Sequence, residues 1–206
     1  MSHTPTPTIP ERAIQGDLAG QRRSAPRRPT LWPILALREA CQIKQVDYEE
    51  TPEFVALRGA VVTCGQTAII SVSSSLKDDE KRLTLAHELG HIALGHIRGV
   101  PAPYLWEGQD APLSLTQDKD REREADIWAA HLLVEPEVYA ENLQHVQEFE
   151  QDSTRAAVQA MRQTARQVRL PVRIIKLWLK TRDCPFEETP TTWLRAPSAW
   201  SQHERK

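Results

Sequence analysis

The chain has 206 residues, a formal net charge of -2 and 40% hydrophobic residues, enough for one cored domain with a small appendage and too near neutrality for charge alone to name a partner. Its three cysteines, Cys41, Cys64 and Cys184, are odd in number, widely spaced and never in a C-x-x-C pair. That argues against a disulfide framework and a thiolate zinc site, and points to a reducing compartment. No apolar run approaches the roughly 20 residues that span a bilayer, and the N-terminus carries no signal-peptide core, so the expected location is the cytoplasm, with no membrane partner.

Residues 1–31 are rich in Pro, Thr, Ser and Arg and short of apolar residues, so they are expected to form a disordered tail. A catalytic domain is expected over residues 32–142. Within it, residues 34–41 read as a short helix and residues 43–48, 55–63 and 66–72 as strands, the last two joined by a tight turn at Cys64-Gly65. An open edge of such a sheet could accept an extended segment of another protein as an added strand. Ser73-Ser74-Ser75 and then Asp78-Asp79-Glu80 form a helix-start signature, with acids where they meet the positive end of the helix dipole. The following helix is apolar on nearly every side: Leu83, Ala86 and Leu94 flank two histidines, while Leu85, Leu89 and Ile92 face elsewhere. A central, buried helix is expected.

That helix carries His87-Glu88-Leu89-Gly90-His91. Two imidazoles four residues apart share a helix face and can grip one metal ion, and Glu88, about 100° round the helix, can act as general base toward an attacking water. Zinc is the expected metal, one per chain, with manganese the alternative. A hydrolytic zinc site takes three protein ligands and leaves the fourth position for water. The metzincin spacing would need a third histidine where Ile97 stands and a glycine where Leu94 stands; His96 is one residue out of register. The other spacing takes a glutamate from a later helix with an aspartate one turn on, and Glu122-Arg123-Glu124-Ala125-Asp126 supplies it. Glu122 is preferred to Glu124 as ligand because it shares a helix face with Asp126, which can hold a ligand histidine in its tautomer; Glu124 is expected to point to solvent.

Between the two motifs, residues 98–120 read as a long loop with three prolines and the aromatics Tyr104 and Trp106, a length typical of lids. Tyr104 is a candidate donor to a developing oxyanion, as is His96 if it turns inward; otherwise His96 caps the end of its helix. His131 reads as a packed helix residue.

Residues 143–183 read as a basic helical subdomain. Two helices separated by Arg169-Leu170-Pro171 carry six arginines and two lysines from Thr154 to Arg182, with no acid. Val172, Ile175 and Leu179 are expected to form the docking stripe, with Ile174 and Trp178 beside it. Arg162, Arg166, Arg169, Arg173 and Lys176 are the candidate contacts to a partner. The outline is that of a helix-turn-helix, so DNA is one candidate partner. A protein-docking face is preferred, since no further basic element or dimer signal accompanies it. Residues 184–206 read as an irregular tail in which Trp193 and Trp200 could anchor on the domain.

The stretch from Leu83 through His87-Glu88-Leu89-Gly90-His91 to His96, then Glu122-Arg123-Glu124-Ala125-Asp126 and Ala129-Ala130-His131-Leu132-Leu133-Val134-Glu135-Pro136, resembles the ImmA/IrrE metallopeptidases over residues 43–136. The resemblance implies a bacterial or phage zinc endopeptidase, many of which cleave a helix-turn-helix repressor. It also implies His87, His91 and Glu122 as metal ligands, Glu88 as catalytic base, and a helical subdomain after the core. The chain departs from the family's pattern at Trp128 and at Val134-Glu135, where an aromatic residue and a methionine are usual; Trp128 keeps aromatic bulk. The expected fold is α+β: a zincin-like catalytic domain with a small mixed sheet and a central metal-binding helix, then the basic helices. The alternative function is a non-cleaving, repressor-binding or DNA-associated regulator that retains zinc.

Overall fold

A computed structural model describes residues 33–52, 58–64, 67–97, 119–183, 186 and 189–195. The tail expected over residues 1–31, the turn glycine Gly65, the expected lid with Tyr104 and Trp106, and Trp200 lie outside the described residues.

The first helix, α1 (Ile34–Ile43), presents Leu37, Ala40 and Cys41 to the core, the i, i+3, i+4 pattern of a helix with one buried stripe. It runs two residues past its expected end. Gln45 then takes a left-handed conformation, φ 55°, which turns the chain into β1 (Val46–Thr51), so this strand starts three residues later than its apolar residues suggested. Strands β2 (Gly59–Cys64) and β3 (Thr67–Ser73) follow. The sheet has the order β1-β3-β2, with β1 parallel and β2 antiparallel to β3. The mixed sheet is therefore as expected. Ala68, Ile70 and Val72, alternate residues of the middle strand, are fully buried.

The long helix α2 (Asp78–Ala93) starts at the expected acids, and the Glu80 carboxylate accepts a hydrogen bond from the Lys77 N–H at 3.3 Å. Residues on all its sides are buried, because it packs against the sheet, α1 and α3 (Lys119–Leu133) at once. Two glycines allow this close packing. A side chain at Gly90 would meet Ala125 O at 3.1 Å and Trp128 Cε3 at 3.3 Å; one at Gly59 would meet Thr84 Cγ2 at 2.5 Å. Trp128, 1% exposed, lies against Gly90 on one side and makes an edge contact with Trp193 on the other, at 5.7 Å between ring centroids.

Helix α4 (Pro136–Gln147) opens on a proline, which suits a position whose N–H would go unpaired. It runs through residue 142, where Asn142 Nδ2 donates to Thr164 Oγ1 and Gln167 Oε1, joining it to α5 (Ser153–Gln167). Asp152 caps α5 by accepting from the N–H groups of Thr154 and Arg155. Arg169, φ 53°, and Pro171 break the chain before α6 (Val172–Thr181). The buried face of α6 is Ile174, Ile175 and Trp178, a quarter-turn from the stripe expected on Val172, Ile175 and Leu179; Val172, the first helical residue, is 41% exposed. Burial of Ile174 and Ile175 contributes about 1.5–3 kcal/mol each. A short α7 (Pro190–Arg195) buries Trp193 and Leu194 where an irregular tail was expected.

One polar clip ties this C-terminal half to α2. Arg82, 4% exposed, donates through Nη2 to the carbonyl oxygens of Val168 and Arg169. These carbonyls close α5, where a cation meets the negative end of the helix dipole. Among the described residues no helix is long and apolar enough to cross a membrane.

Candidate metal centre

His87 and His91, one turn apart on α2, point toward α3, where Glu122 lies in the first turn. Their donor atoms converge: His91 Nε2 lies 3.1 Å from His87 Nε2 and 3.3 Å from Glu122 Oε1, and His87 Nε2 lies 3.2 Å from Glu122 Oε2. One ligand atom from each falls within 4.8 Å of the others. A tetrahedral cation with bonds of about 2.0–2.1 Å sets its donors about 3.3 Å apart, so the triangle has the size that a zinc-like ion requires. Two imidazoles and one carboxylate also match the donor chemistry of a hydrolytic centre.

The surroundings set the charge. Burial first, then the nearby rings of His87 and His96, push the His91 imidazolium down to about 3, so this ring is neutral with a lone pair to give. Burial works against charge on His87 too. There, however, the hydrogen bond that His87 donates to Asp126 and the negative charges of Glu88, Asp126 and Glu122 prevail and raise its pKa. The carboxylates that would hold a proton on His87 would equally hold a cation. His87 Nδ1 faces Asp126 Oδ1 at 2.9 Å, which leaves Nε2 for the metal. Glu88 is buried on the same helix, and desolvation raises its carboxyl to about 7. Its Oε1 would be 3.3 Å from a side chain placed at Gly59, so the start of β2 lies directly beside it.

The structure thus brings His87, His91, Glu122 and Asp126 together, with Glu88 alongside. It corrects the reading of one other residue. Both ring nitrogens of His96 are occupied: Nδ1 is 3.0 Å from His91 Nδ1, and Nε2 is 3.0 Å from Glu124 Oε2. Neither is free to meet an oxyanion. Glu124 is 60% exposed, as expected, and its carboxylate reaches the His96 ring. Tyr104, the other oxyanion candidate, is outside the described residues. His131 is the packed residue expected, held by Thr181 Oγ1 at 3.1 Å and by the Phe186 ring.

The signal that could have located His96 is the glycine before it. Gly95 has φ 73°, the left-handed cap that ends many helices, and the His96 N–H then bonds back to the His91 carbonyl at 2.9 Å. That closure sets the residue after the glycine against the residue five positions earlier. Arg162, Arg166, Arg169, Arg173 and Lys176 are all exposed on α5, α6 and the turn between them, far along the chain from the histidine helix.

No curated protein and no solved structure matches the chain. A family model does, the Peptidase_M78 model described as the IrrE N-terminal-like domain, and it covers residues 52–166. The match runs from the end of β1 through both helices that carry the histidines and acids and on into α5, further than the motifs alone extend. Because it takes in more than half of the sequence and every residue of the metal cluster, the chain belongs to the Peptidase_M78 family of IrrE N-terminal-like domains.

Proposed function

We propose that the chain is a zinc-dependent endopeptidase that hydrolyses a peptide bond in a regulatory protein, the class implied by its family resemblance being a helix-turn-helix transcriptional repressor. Membership of the family makes it metallopeptidase-like. The finer reading is carried by one observation: the donor atoms of His87, His91 and Glu122 converge within 4.8 Å beside the buried carboxyl of Glu88.

His87, His91 and Glu122 would hold the cation, zinc by its donor preference and manganese as the alternative, and Asp126 keeps His87 in the tautomer that offers Nε2. Bound there, a divalent cation supplies Lewis acidity, which acidifies a water molecule and polarises the scissile carbonyl. Glu88 accepts the proton of the attacking water at a carboxylate oxygen and delivers it to the departing amide nitrogen. Burial raises this carboxyl above the usual range, which favours its taking up that proton. The edge of β2 beside Glu88 offers an extended substrate segment a strand to pair with; among the described strands β2 pairs only with β3. The missing side chain at Gly59 lets backbone approach the catalytic carboxyl closely. On the far helices, Arg162, Arg166, Arg169, Arg173 and Lys176 present positive charge suited to an acidic protein surface, with duplex DNA the competing partner.

Metal content and cleavage of a repressor-like protein decide the matter. His87→Ala, His91→Ala and Glu122→Ala each lose most of about one zinc per chain. Glu88→Gln keeps the zinc and the fold but loses cleavage by on the order of a hundredfold or more. Full zinc content in Glu122→Ala would move the ligand elsewhere, and undiminished cleavage by Glu88→Gln would remove the base from the mechanism.

A further inference from the structure

Asp126 reaches His87 directly, but among the described residues no carboxylate lies against the outer nitrogen of His91. In its place stands His96, and behind His96 stands Glu124. We propose that His96 and Glu124 are positioning residues that form a two-step hydrogen-bond relay, holding the His91 ring in the tautomer and orientation its metal-binding nitrogen requires. The inference rests on the metal centre proposed above.

Hydrogen-bond direction assigns every proton in the relay. If His91 Nε2 gives its lone pair to a cation, its single proton sits on Nδ1, and Nδ1 must donate. The group 3.0 Å away is His96 Nδ1, which therefore accepts and carries no hydrogen. A neutral imidazole has one N–H, so the His96 proton is on Nε2. That nitrogen is 3.0 Å from Glu124 Oε2, an acceptor. The chain of donors reads His91 Nδ1–H to His96 Nδ1, then His96 Nε2–H to the Glu124 carboxylate, with no unmatched pair. Ligand histidines ordinarily donate their second N–H to a carboxylate, carbonyl or water, which fixes the ring and makes it a better donor to the metal. Here a neutral histidine carries the carboxylate's influence to the ligand ring.

Three separate features hold the relay in place. The left-handed Gly95 and the backbone bond from the His96 N–H to the His91 carbonyl fold His96 back over His91, and the two rings meet edge to face at 5.1 Å. The Arg121 guanidinium donates to the His96 carbonyl at 3.2 Å, pinning this turn to α3. Glu124 and Glu122 sit two residues apart on α3, so one helix supplies both the metal carboxylate and the carboxylate that supports the opposite ligand. The relay joins α2 to α3 on the side away from Asp126.

The test uses the full-length chain, with zinc affinity measured by competition against a chromophoric chelator. His96→Phe keeps an aromatic ring but offers no acceptor, and is expected to bind zinc on the order of tenfold to a hundredfold more weakly. His96→Asn, whose amide oxygen can accept from His91 Nδ1–H, recovers most of that loss. Glu124→Ala, at an exposed position that does not threaten folding, weakens zinc by about tenfold. Two-bond nitrogen–proton NMR of the zinc-loaded wild-type chain reads the tautomer, and His96 is expected to be protonated on Nε2 alone. Unchanged affinity in Glu124→Ala, an Asn variant no tighter than the Phe variant, or His96 protonated on Nδ1 would each overturn the relay. If His91→Ala still abolishes binding in that case, the metal centre stands without it. A wild-type chain that takes up no zinc overturns both.

Discussion

Glu88 is costly to fold around, and its cost has a definite pH dependence. Its carboxyl keeps its proton up to about pH 7 in the folded chain, against an ordinary value of 4.5. The folded state therefore binds the extra proton between those values, and the metal-free chain loses stability as pH rises through that window. A rise of this size corresponds to on the order of 3 kcal/mol. Glu88→Gln, which has no charge to desolvate, should make the metal-free chain more stable by about that amount at pH 8 and by nothing near pH 4, as read by urea denaturation at the two values. Equal stability of the two proteins at pH 8 would show that Glu88 is better solvated than its burial indicates. Asp126→Asn carries a second expectation: zinc affinity falls by roughly tenfold to a hundredfold with the fold intact, because an amide still bonds His87 but no longer raises its basicity. The residues in this cluster were legible in the sequence because helical spacing alone puts His87 with His91 and Glu122 with Asp126. His96 and Glu124 were not, since their meeting depends on the reversal of the chain at Gly95 and on the docking of two helices, neither of which is periodic.

The elements meet through small residues. At Gly90 the helices α2 and α3 approach so closely that a methyl group would press on Ala125 O and Trp128 Cε3. Gly90→Ala gains about 1 kcal/mol of helix propensity and gives up a comparable amount to crowding, so the stability should change by less than about 1 kcal/mol. The metal affinity should nonetheless fall, because α3 carries Glu122 and must shift outward by a few tenths of an ångström. Denaturation and zinc titration of the same variant separate the two effects; unaltered zinc affinity would mean that Glu122 follows its partners freely. Helix α2 itself was readable from its acidic start and its all-round apolar character. The start of β1 was displaced by the left-handed turn at Gln45, and the docking face of α6 by its neighbours: Trp178 meets Tyr139 edge to face at 5.8 Å, which turns Ile174 inward and Val172 outward.

Over the whole molecule, charge and chemistry are separated. The metal cluster lies between α2 and α3, while a shallow groove of about 540 Å³ runs along α5 past Arg155, Arg162 and Arg166, with Val158 among its lining residues. Neutralising Arg162, Arg166, Arg173 and Lys176 together should slow cleavage of a folded protein substrate by about tenfold at low salt, through its association rate, and leave hydrolysis of a short peptide unchanged. Salt-sensitive binding of duplex DNA that disappears in this variant, with repressor cleavage intact, would assign the face to nucleic acid instead. The basic character of this region was plain in the sequence. Its attachment was not, because it depends on Arg82, a charged residue on an apolar helix whose carbonyl partners lie 86 and 87 positions further on.

The sheet order β1-β3-β2 has a consequence for the chain as it leaves the ribosome. The middle strand is the last of the three in sequence, so neither β1 nor β2 has a partner until Thr67–Ser73 has emerged. The β2–β3 pair then closes locally across a short connection, whereas β1 must find β3 over some twenty residues, a slower search because its loop-closure entropy is larger. During that interval the growing chain carries two unpaired strand edges. The helix that bears the histidines follows immediately behind and packs on both β2 and β3. Docking of the histidine helix and closure over the β2–β3 pair are thus coupled steps.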